Sequence, residues 1–438
     1  MKKPIAVLAL TTLVAFLVPA VPSSGQVLPA PPPLAVSENV EVLGNIPGSF
    51  FGMNFRGNYA FATGATGLTV FDISDPASPS IAGELPLPHF ENEDVDLCGD
   101  VLIIASDAIH PAAPLYVIDI SDPTLPVLAA TLSLSVQGAD VGAGHIANFV
   151  TPDCSQLWVD GGDQVEVVDV SDPSAPRSLG SFVSEASKSD AFTVTHDTEL
   201  DSSGVVWSVG GGGAAGYRVT ADPLKPQLVA STSQAGVNPS PLNDFILHNS
   251  QRRGRTLLIT EEDYIDTDEE QPGSCNGQGK FETWSLKRMQ PRGITPLDTW
   301  QTELNAADSK APLTVNCSSH WFDEQDGIVA VGWYEQGVRF LDVTRPTDIR
   351  QVGFYLPANG STWASYWVPN DSSGELVYTT DAYRGLDILR IENGGKGATK
   401  KTAPVPQSWF GLPGTPSSVR GFRPSEGFGW SCPIPISL

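Results

Sequence analysis

Four of the six histidines in the sequence recur at one position of a repeating pattern. His145, His196, His248 and His320 each lie some eight to twelve residues before a strand-like run, and Glu93 holds roughly that place in an earlier unit. Imidazole nitrogens with a carboxylate suit a transition metal such as copper, zinc, iron or nickel. These five residues are a candidate metal site if the fold brings them to one point.

A structural role would explain the same recurrence. Each imidazole would then hydrogen-bond the backbone of the neighbouring unit and line a wet channel, and similarity between the units alone would repeat it. Both interpretations stay open on the sequence. The metal interpretation carries an alternative function, a metal-dependent oxidoreductase or hydrolase that polarises a bound water or substrate.

A second candidate site is the acidic run at residues 261–270. Clustered carboxylates are hard oxygen ligands that could hold calcium, which would suit a calcium-stabilised surface adhesin. The run does not match a helix–loop–helix calcium loop, and a solvated acidic loop is the alternative. The candidate ligands are Glu261, Glu262, Asp263, Asp266 and Asp268.

The elements that must position these residues are repeats of nearly fifty residues. The phrase LTVFD at Leu68–Asp72 is followed by a Ser-Asp-Pro turn, and a period in this range favours a propeller or an array. Clean copies lie at Leu115–Asp119, Val165–Asp169, Val338–Asp342 and Leu386–Arg390, and degenerate copies at Tyr217–Ala221 and Phe281–Ser285.

Each repeat contains four strand-like runs bounded by Gly, Asn, Asp and Pro, and no repeat shows a sustained helical period. Seven such units predict an all-β, seven-bladed propeller, because a ring protects sheet edges. The segment Asn39–Pro47 resembles the fourth strand that the last unit lacks. We therefore expect it to close the ring; an open β-solenoid would leave both ends exposed.

The flanking segments predict export. Residues 1–25 have the charged start, apolar run and small residues of a signal peptide. Residues 26–38 form a Pro-rich leader that we expect to be extended and unpacked, residues 39–392 hold the repeats, and residues 393–438 form a Gly-, Pro- and Ser-rich tail. The protein is expected outside the cell or at its surface, with no transmembrane segment after cleavage.

The charge balance excludes some partners. The chain has 50 acidic and 25 basic residues, and removing Lys2 and Lys3 with the signal peptide leaves 23 basic residues and a formal charge of −27. Nucleic acid and anionic lipid both require a cationic surface, so neither is expected as a partner. A protein, peptide or glycan at the propeller face remains.

Five cysteines leave at least one unpaired within the chain. Cys98 and Cys154 occupy matching positions in neighbouring repeats, and Cys275 and Cys317 flank the junction of the fifth and sixth repeats. We predict the pairs Cys98–Cys154 and Cys275–Cys317, with Cys432 left over.

The LTVFD, LYVID and VEVVD phrases and the Ser-Asp-Pro turns after them resemble the LVIVD-repeat family of exported and cell-surface bacterial and archaeal proteins. The resemblance implies a β-propeller and brings no catalytic residues. The phrases around His196 and His320 are also faintly similar to selenium-binding protein and methanethiol oxidase, propellers that hold a metal by histidines. A binding scaffold outside the cell is the expected function.

Overall fold

The computed structural model describes residues 27–87, 94–105, 114–134, 146–188, 193–232, 246–262, 279–303 and 318–403. These residues form seven antiparallel sheets, which are the blades of the propeller. Each blade has four strands, and blade six has a fifth strand at its outer edge. The all-β, seven-bladed propeller predicted from the repeats is confirmed. Within the described ranges, no helix has the length and apolar character needed to cross a bilayer.

Each of the first six blades is a meander that runs from an innermost to an outer strand. Blade one has β3 (Phe50–Arg56), β4 (Tyr59–Gly64), β5 (Gly67–Asp72) and β6 (Ser80–Pro86), and blade two has β7 (Val95–Cys98), β8 (Val101–Ala105), β9 (Pro114–Asp119) and β10 (Val127–Ser133). Blade three has β11 (Ile146–Phe149), β12 (Gln156–Asp160), β13 (Val165–Asp169) and β14 (Arg177–Phe182).

Blades four to six follow the same order. Blade four has β15 (Thr195–Leu200), β16 (Val206–Gly210), β17 (Gly213–Arg218) and β18 (Gln227–Ser231). Blade five has β19 (Ile246–Arg253), β20 (Thr256–Glu262), β21 (Phe281–Ser285) and β22 (Thr295–Trp300). Blade six has β23 (Phe322–Gln325), β24 (Ile328–Gly332), β25 (Val338–Asp342) and β26 (Arg350–Leu356), with β1 (Ala35–Val36) added at its outer edge.

Blade seven is completed from the front of the chain. It has β27 (Thr362–Trp367), β28 (Leu376–Asp381) and β29 (Gly385–Ile391), and its outer strand is β2 (Val40–Ile46). Strand β2 pairs antiparallel with β29 along its whole length. The predicted closure of the ring is therefore confirmed, and the open solenoid is wrong.

A buried polar network locks this closure. Asp387 of β29 accepts hydrogen bonds from Asn45 Nδ2 at 2.9 Å and from the hydroxyl of Tyr355 at 3.0 Å. Arg384 donates to both oxygens of the same carboxylate, each at 2.9 Å. The network joins β2 and β29 of blade seven to β26 of blade six. Each charge has a partner, as buried ions require.

The turns after the third strands have a common cause. The carboxylates of Asp72, Asp119, Asp169 and Asp342 each accept a hydrogen bond from the backbone amide two residues ahead, at 2.8 to 3.0 Å. This local bond ends the strand and starts the turn, and the proline that follows most of them cannot continue the ladder. The repeated phrase therefore specifies a strand and its end together.

One repeat is shifted from its predicted position. In blade four the strand is Gly213–Arg218, so the match to LTVFD ends at Arg218, which pairs with Gln227 as Asp169 pairs with Arg177 in blade three. The predicted copy at 217–221 is therefore wrong by three residues. A Cβ on Gly216 would lie 2.8 Å from the Trp207 ring, which explains why small residues replace the apolar pattern here.

The Pro-rich leader packs on the propeller where the structure describes it. Leu28 and Asn45 exchange backbone hydrogen bonds at 2.8 and 2.9 Å, and β1 pairs with β26. Leu34 also packs against a cluster that includes Phe354 and Ala403, so the first part of the tail lies on blade six as well. The expectation that the leader is unpacked is wrong for residues 27–38, because outer strands of blades six and seven offer free backbone groups.

The predicted disulfide between Cys98 and Cys154 is present. It joins β7 of blade two to the turn between β11 and β12 of blade three, with the two Cα atoms 5.6 Å apart. Cys275, Cys317 and Cys432 lie outside the described residues. The bridge crosses between two blades whose apolar side chains also pack together.

Replacing Cys98 and Cys154 together with serine should lower the free energy of unfolding by about 2–4 kcal/mol. The bond closes a loop with a sequence separation of 56 residues, which restricts the unfolded chain. Urea denaturation of oxidised wild-type protein and the double variant measures the difference. An equal midpoint for both proteins would show that the bridge contributes no stability.

Candidate functional site

The candidate site lies on the innermost strands, where a β-bulge recurs. The pairing of β15 with β16, of β19 with β20 and of β27 with β28 each skips at one place near the start of the innermost strand. His196, His248 and Trp363 fall at these skips, and His320 lies just before β23. A bulge bends the strand and re-aims its side chain. The irregularity therefore re-aims a side chain in each of these three blades.

These residues, with Phe51, form a continuous row of rings across five blades. The ring centroids of His196 and His248 are 4.0 Å apart, and those of His248 and His320 are also 4.0 Å apart. Trp363 continues the row at 4.9 Å from His320, and Phe51 of blade one follows at 4.8 Å from Trp363. The structure thus brings three of the predicted histidines together; His145 and Glu93 lie outside the described residues.

Hydrogen bonds fix the tautomers of two of these histidines. Nδ1 of His196 lies 3.0 Å from the carbonyl oxygen of His248, and Nδ1 of His320 lies 2.7 Å from that of Trp363. A carbonyl only accepts, so Nδ1 carries the hydrogen and Nε2 of the neutral ring keeps its lone pair. The predicted backbone bonds to the next blade are therefore present, and they are also the bonds that orient histidines for a metal.

A carboxylate completes the group. Glu262, the last residue of β20, has an oxygen 3.9 Å from Nε2 of His248, and its other oxygen accepts a hydrogen bond from the hydroxyl of Tyr334. One ligand atom from each of His196, His248 and Glu262 lies within 4.8 Å of the other two. All three side chains are fully buried.

The acidic insert is placed differently from its prediction. Glu261 and Glu262 belong to strand β20 and are buried, so neither is part of a solvated loop. Glu261 lies 3.4 Å from Nζ of Lys280, an ion pair inside blade five. Asp263, Asp266 and Asp268 lie outside the described residues. The continuous acidic run gives no sign that Glu261 and Glu262 are the last two residues of a strand beside the histidines.

The chemistry of the group is that of two imidazoles and one carboxylate. This ligand set holds zinc in hydrolases and ferrous iron in oxygenases, and it leaves coordination positions open. Ligand atoms around a tetrahedral zinc are about 3.4 Å apart. The ligand atoms of His196, His248 and Glu262 are at most 4.8 Å apart. Side-chain movements of about 1 Å would therefore bring the three atoms within bonding distance of one ion.

A ring of polar side chains lies on the same innermost strands. In every blade, the residue that pairs with the middle of the second strand is polar, although the surrounding residues are mostly apolar. The spacing of this position within each repeat could have revealed it from the sequence. The ring consists of Asn54, Asp96, Asn148, Glu199, Gln251, Asp323 and Tyr366.

The ring members tie neighbouring blades together. Asp96 of blade two accepts a hydrogen bond at 2.7 Å from the backbone amide of Phe149 in blade three. Asp323 of blade six accepts one at 3.0 Å from the amide of Trp367 in blade seven. The inner edge of a blade has backbone groups that no strand of its own sheet can bind. These bonds give such groups a partner in the neighbouring blade.

Burial perturbs the carboxylates of this ring. Burial raises the pKa of Asp96 and of Asp323 to about 6, against the lowering effect of the backbone amides that they accept from. Burial, and then the charges of Asp323 and other carboxylates, raise the pKa of Glu199 to about 8. Burial and the charges of neighbouring carboxylates also raise the pKa of Asp197, and the amide of Thr198 lowers it less.

Stability without bound cations should fall as the pH rises from about 5 to about 8. The pKa of Glu199 is near the ordinary glutamate value of 4.5 in the unfolded chain and about 8 in the folded protein, so the favourable contribution of its bound proton is lost across that range. Glu199→Gln should remove of the order of 3 kcal/mol of this decline. Denaturation of metal-free protein at both pH values measures it; identical pH profiles for the two proteins would contradict the assignment.

Comparison with known proteins supports the fold. The LVIVD repeat model matches residues 52–85, 94–133 and 159–183. None of the curated proteins compared matches the sequence significantly. The β-propeller domain of Cps50 (Swd1) from Myceliophteria thermophila is similar over 80% of this chain and 99% of its own, with 14% identity and a TM-score of 0.55.

Two further solved structures are similar at comparable levels. The RRP9 WD40 repeats match 84% of this chain and 100% of their own, with 10% identity and a TM-score of 0.52. U3-55K matches 81% of this chain and 99% of its own, with 10% identity and a TM-score of 0.53. At these identities the likeness shows the fold alone. The chain is a seven-bladed β-propeller that carries LVIVD repeats.

Proposed function

We propose that the protein is an exported β-propeller that acts as an interaction scaffold at or outside the cell surface. The observation that carries the scaffold is the closed ring of seven blades with LVIVD repeats, a rigid frame that suggests protein interaction. A solved neighbour is described as WD40 repeats. The signal-like residues 1–25 and the formal charge of −25 support an exported, soluble partner-binding protein.

Fractionation of the native host with mass spectrometry of the amino terminus tests the export. We expect the protein outside the cytoplasm with an amino terminus near residue 26. Cross-linking on intact cells then tests the scaffold, with the Asp387→Ala variant, in which the ring closure is weakened, as the control. A reproducible partner that is cross-linked to the wild-type protein and not to the control supports it. Retention in the cytoplasm with residues 1–25 intact would contradict the export.

The geometry also favours a second candidate function, a metal centre. We propose that His196, His248 and Glu262 bind one transition metal ion. The backbone bond of His196 uses Nδ1, so the lone pair of the neutral ring is on Nε2, and Tyr334 holds one oxygen of Glu262. Complete burial makes each unneutralised charge costly, so a cation that binds Glu262 stabilises the site. The ion would supply Lewis acidity to a bound water or substrate.

Elemental analysis of protein purified without an affinity tag tests this centre. We expect about one transition metal ion per chain in the wild-type protein, and a loss of at least tenfold in His196→Ala and Glu262→Gln. His110→Ala is a matched control, because this histidine lies outside the repeated position. Metal content that is absent from the wild-type protein after reconstitution, or unchanged in both ligand variants, would exclude the centre.

A further inference from the structure

Two carboxylates on the innermost strand of blade four suggest a second cation site, for a chemically hard ion. Asp197 and Glu199 are two residues apart on β15, so their side chains share one face of the strand. Glu199 belongs to the polar ring, and Asp197 is only 1% exposed. The amide of Thr198, the next residue in the strand, acts on the Asp197 carboxylate, and no other described residue donates a hydrogen bond to its two oxygens.

The surroundings of this pair are acidic. Asp94 of blade two and Asp160 of blade three both act electrostatically on Asp197, and Asp94 also acts on Glu199. Asp94 keeps a hydrogen bond at 2.6 Å from the side-chain amide of Asn148. Several carboxylates that share a buried region repel one another unless a cation or protons neutralise them. The two oxygens of Asp197 accept no side-chain hydrogen bond from the described residues.

We propose that Asp197 and Glu199 bind a hard divalent cation of the calcium or magnesium class, which keeps part of its water shell. Carboxylate oxygens without nitrogen or sulfur ligands select these ions. Among the described residues, the three ligand atoms that lie close enough to share one ion belong to His196, His248 and Glu262. The carboxylates around Asp197 are farther apart, so they would not all contact one ion directly. Water molecules between the cation and Asp94 or Asp160 span the larger distance, as magnesium and calcium sites commonly allow.

The two carboxylates form this site independently of the proposed transition metal centre. Asp197 follows His196 directly in the chain, but its carboxylate belongs to the group around Asp94 and Asp160 rather than to the group around Glu262. The two sites also differ in ligand chemistry, because one offers oxygen alone and the other offers imidazole. A substitution in one site therefore leaves the ligands of the other in place.

Thermal unfolding of metal-free protein, with calcium chloride or magnesium chloride added separately, tests this site. We expect the melting temperature of the wild-type protein to rise by a few degrees with at least one of the two salts. The double variant Asp197→Asn with Glu199→Gln should melt higher than the wild-type protein without cation, because repulsion is relieved, and should lose the response. Because Asn and Gln have nearly the same volume as Asp and Glu, the double variant keeps the packing around the site.

Two control variants separate cation binding at Asp197 and Glu199 from binding at the transition metal centre and from a general effect of surface charge. Glu262→Gln should keep the calcium or magnesium response, since it removes a ligand of the transition metal centre only. Asp348→Asn, at an exposed ion pair with Arg350, should also keep it. An unchanged melting temperature of the wild-type protein in both salts, or a full response in the double variant, would overturn the proposal. A response lost in the Asp348 variant would assign the effect to surface charge.

Discussion

Asp387→Ala should lower the free energy of unfolding by about 3–5 kcal/mol. The substitution leaves the buried guanidinium of Arg384 without the carboxylate that it contacts twice, and it removes the acceptor for Asn45 and Tyr355. Because Asn45 lies on β2, the same change weakens the pairing that closes the ring. Urea or guanidinium denaturation of purified protein measures the loss.

The matched control is an exposed ion pair. Asp348 contacts Arg350 at the surface, and its side chain is 49% exposed, so Asp348→Ala should change stability by at most about 1 kcal/mol. Asp387→Asn is a second control, since it keeps the shape and part of the hydrogen bonding. Equal stability of Asp387→Ala and Asp348→Ala would show that the closure does not depend on this network.

Removing the proposed transition metal ion should lower the melting temperature of the wild-type protein by several degrees. A ligand present at a thousand times its dissociation constant stabilises the native state by about 4 kcal/mol. His248 touches the rings of both His196 and His320, so His248→Ala removes the middle of the row. That variant should melt at the lower temperature with or without added metal.

Tyr334→Phe provides the graded control for this effect. It keeps all three proposed ligands and removes the hydroxyl that donates to Glu262. We expect it to bind metal 10- to 100-fold more weakly than the wild-type protein and to recover the melting temperature when metal is in excess. A His248→Ala protein that gains as much from added metal as the wild-type protein would contradict the proposed centre.

The sequence was sufficient for the architecture because its signals are local. Asp72 and its equivalents specify both the end of a strand and the following turn, so the repeats are visible without structural information. The closure by β2 was predictable since Val40–Ile46 resembles a fourth strand and the last repeat lacks one. Blade four was misplaced because Gly216 and its neighbours make room for Trp207, a tertiary requirement.

The site was only partly predictable for a related reason. The recurrence of His196, His248 and His320 predicted their approach, because equivalent strands of a ring meet near its axis. The sequence predicts that Glu262 lies in an acidic loop, either solvated or calcium-binding, because the acidic run extends past the end of β20. The bond between Glu262 and Tyr334 spans 72 residues, so neither neighbour in sequence indicates it. Contacts of this kind depend on blade register, which local patterns do not specify.

The transition metal centre is tested most directly by anomalous diffraction from crystals of the wild-type protein supplied with one equivalent of zinc or ferrous iron. We expect a single strong anomalous peak about 2.0–2.2 Å from Nε2 of His196, a ring nitrogen of His248 and an oxygen of Glu262. The proposed centre is contradicted if no anomalous density lies among these three side chains while the crystals contain the metal.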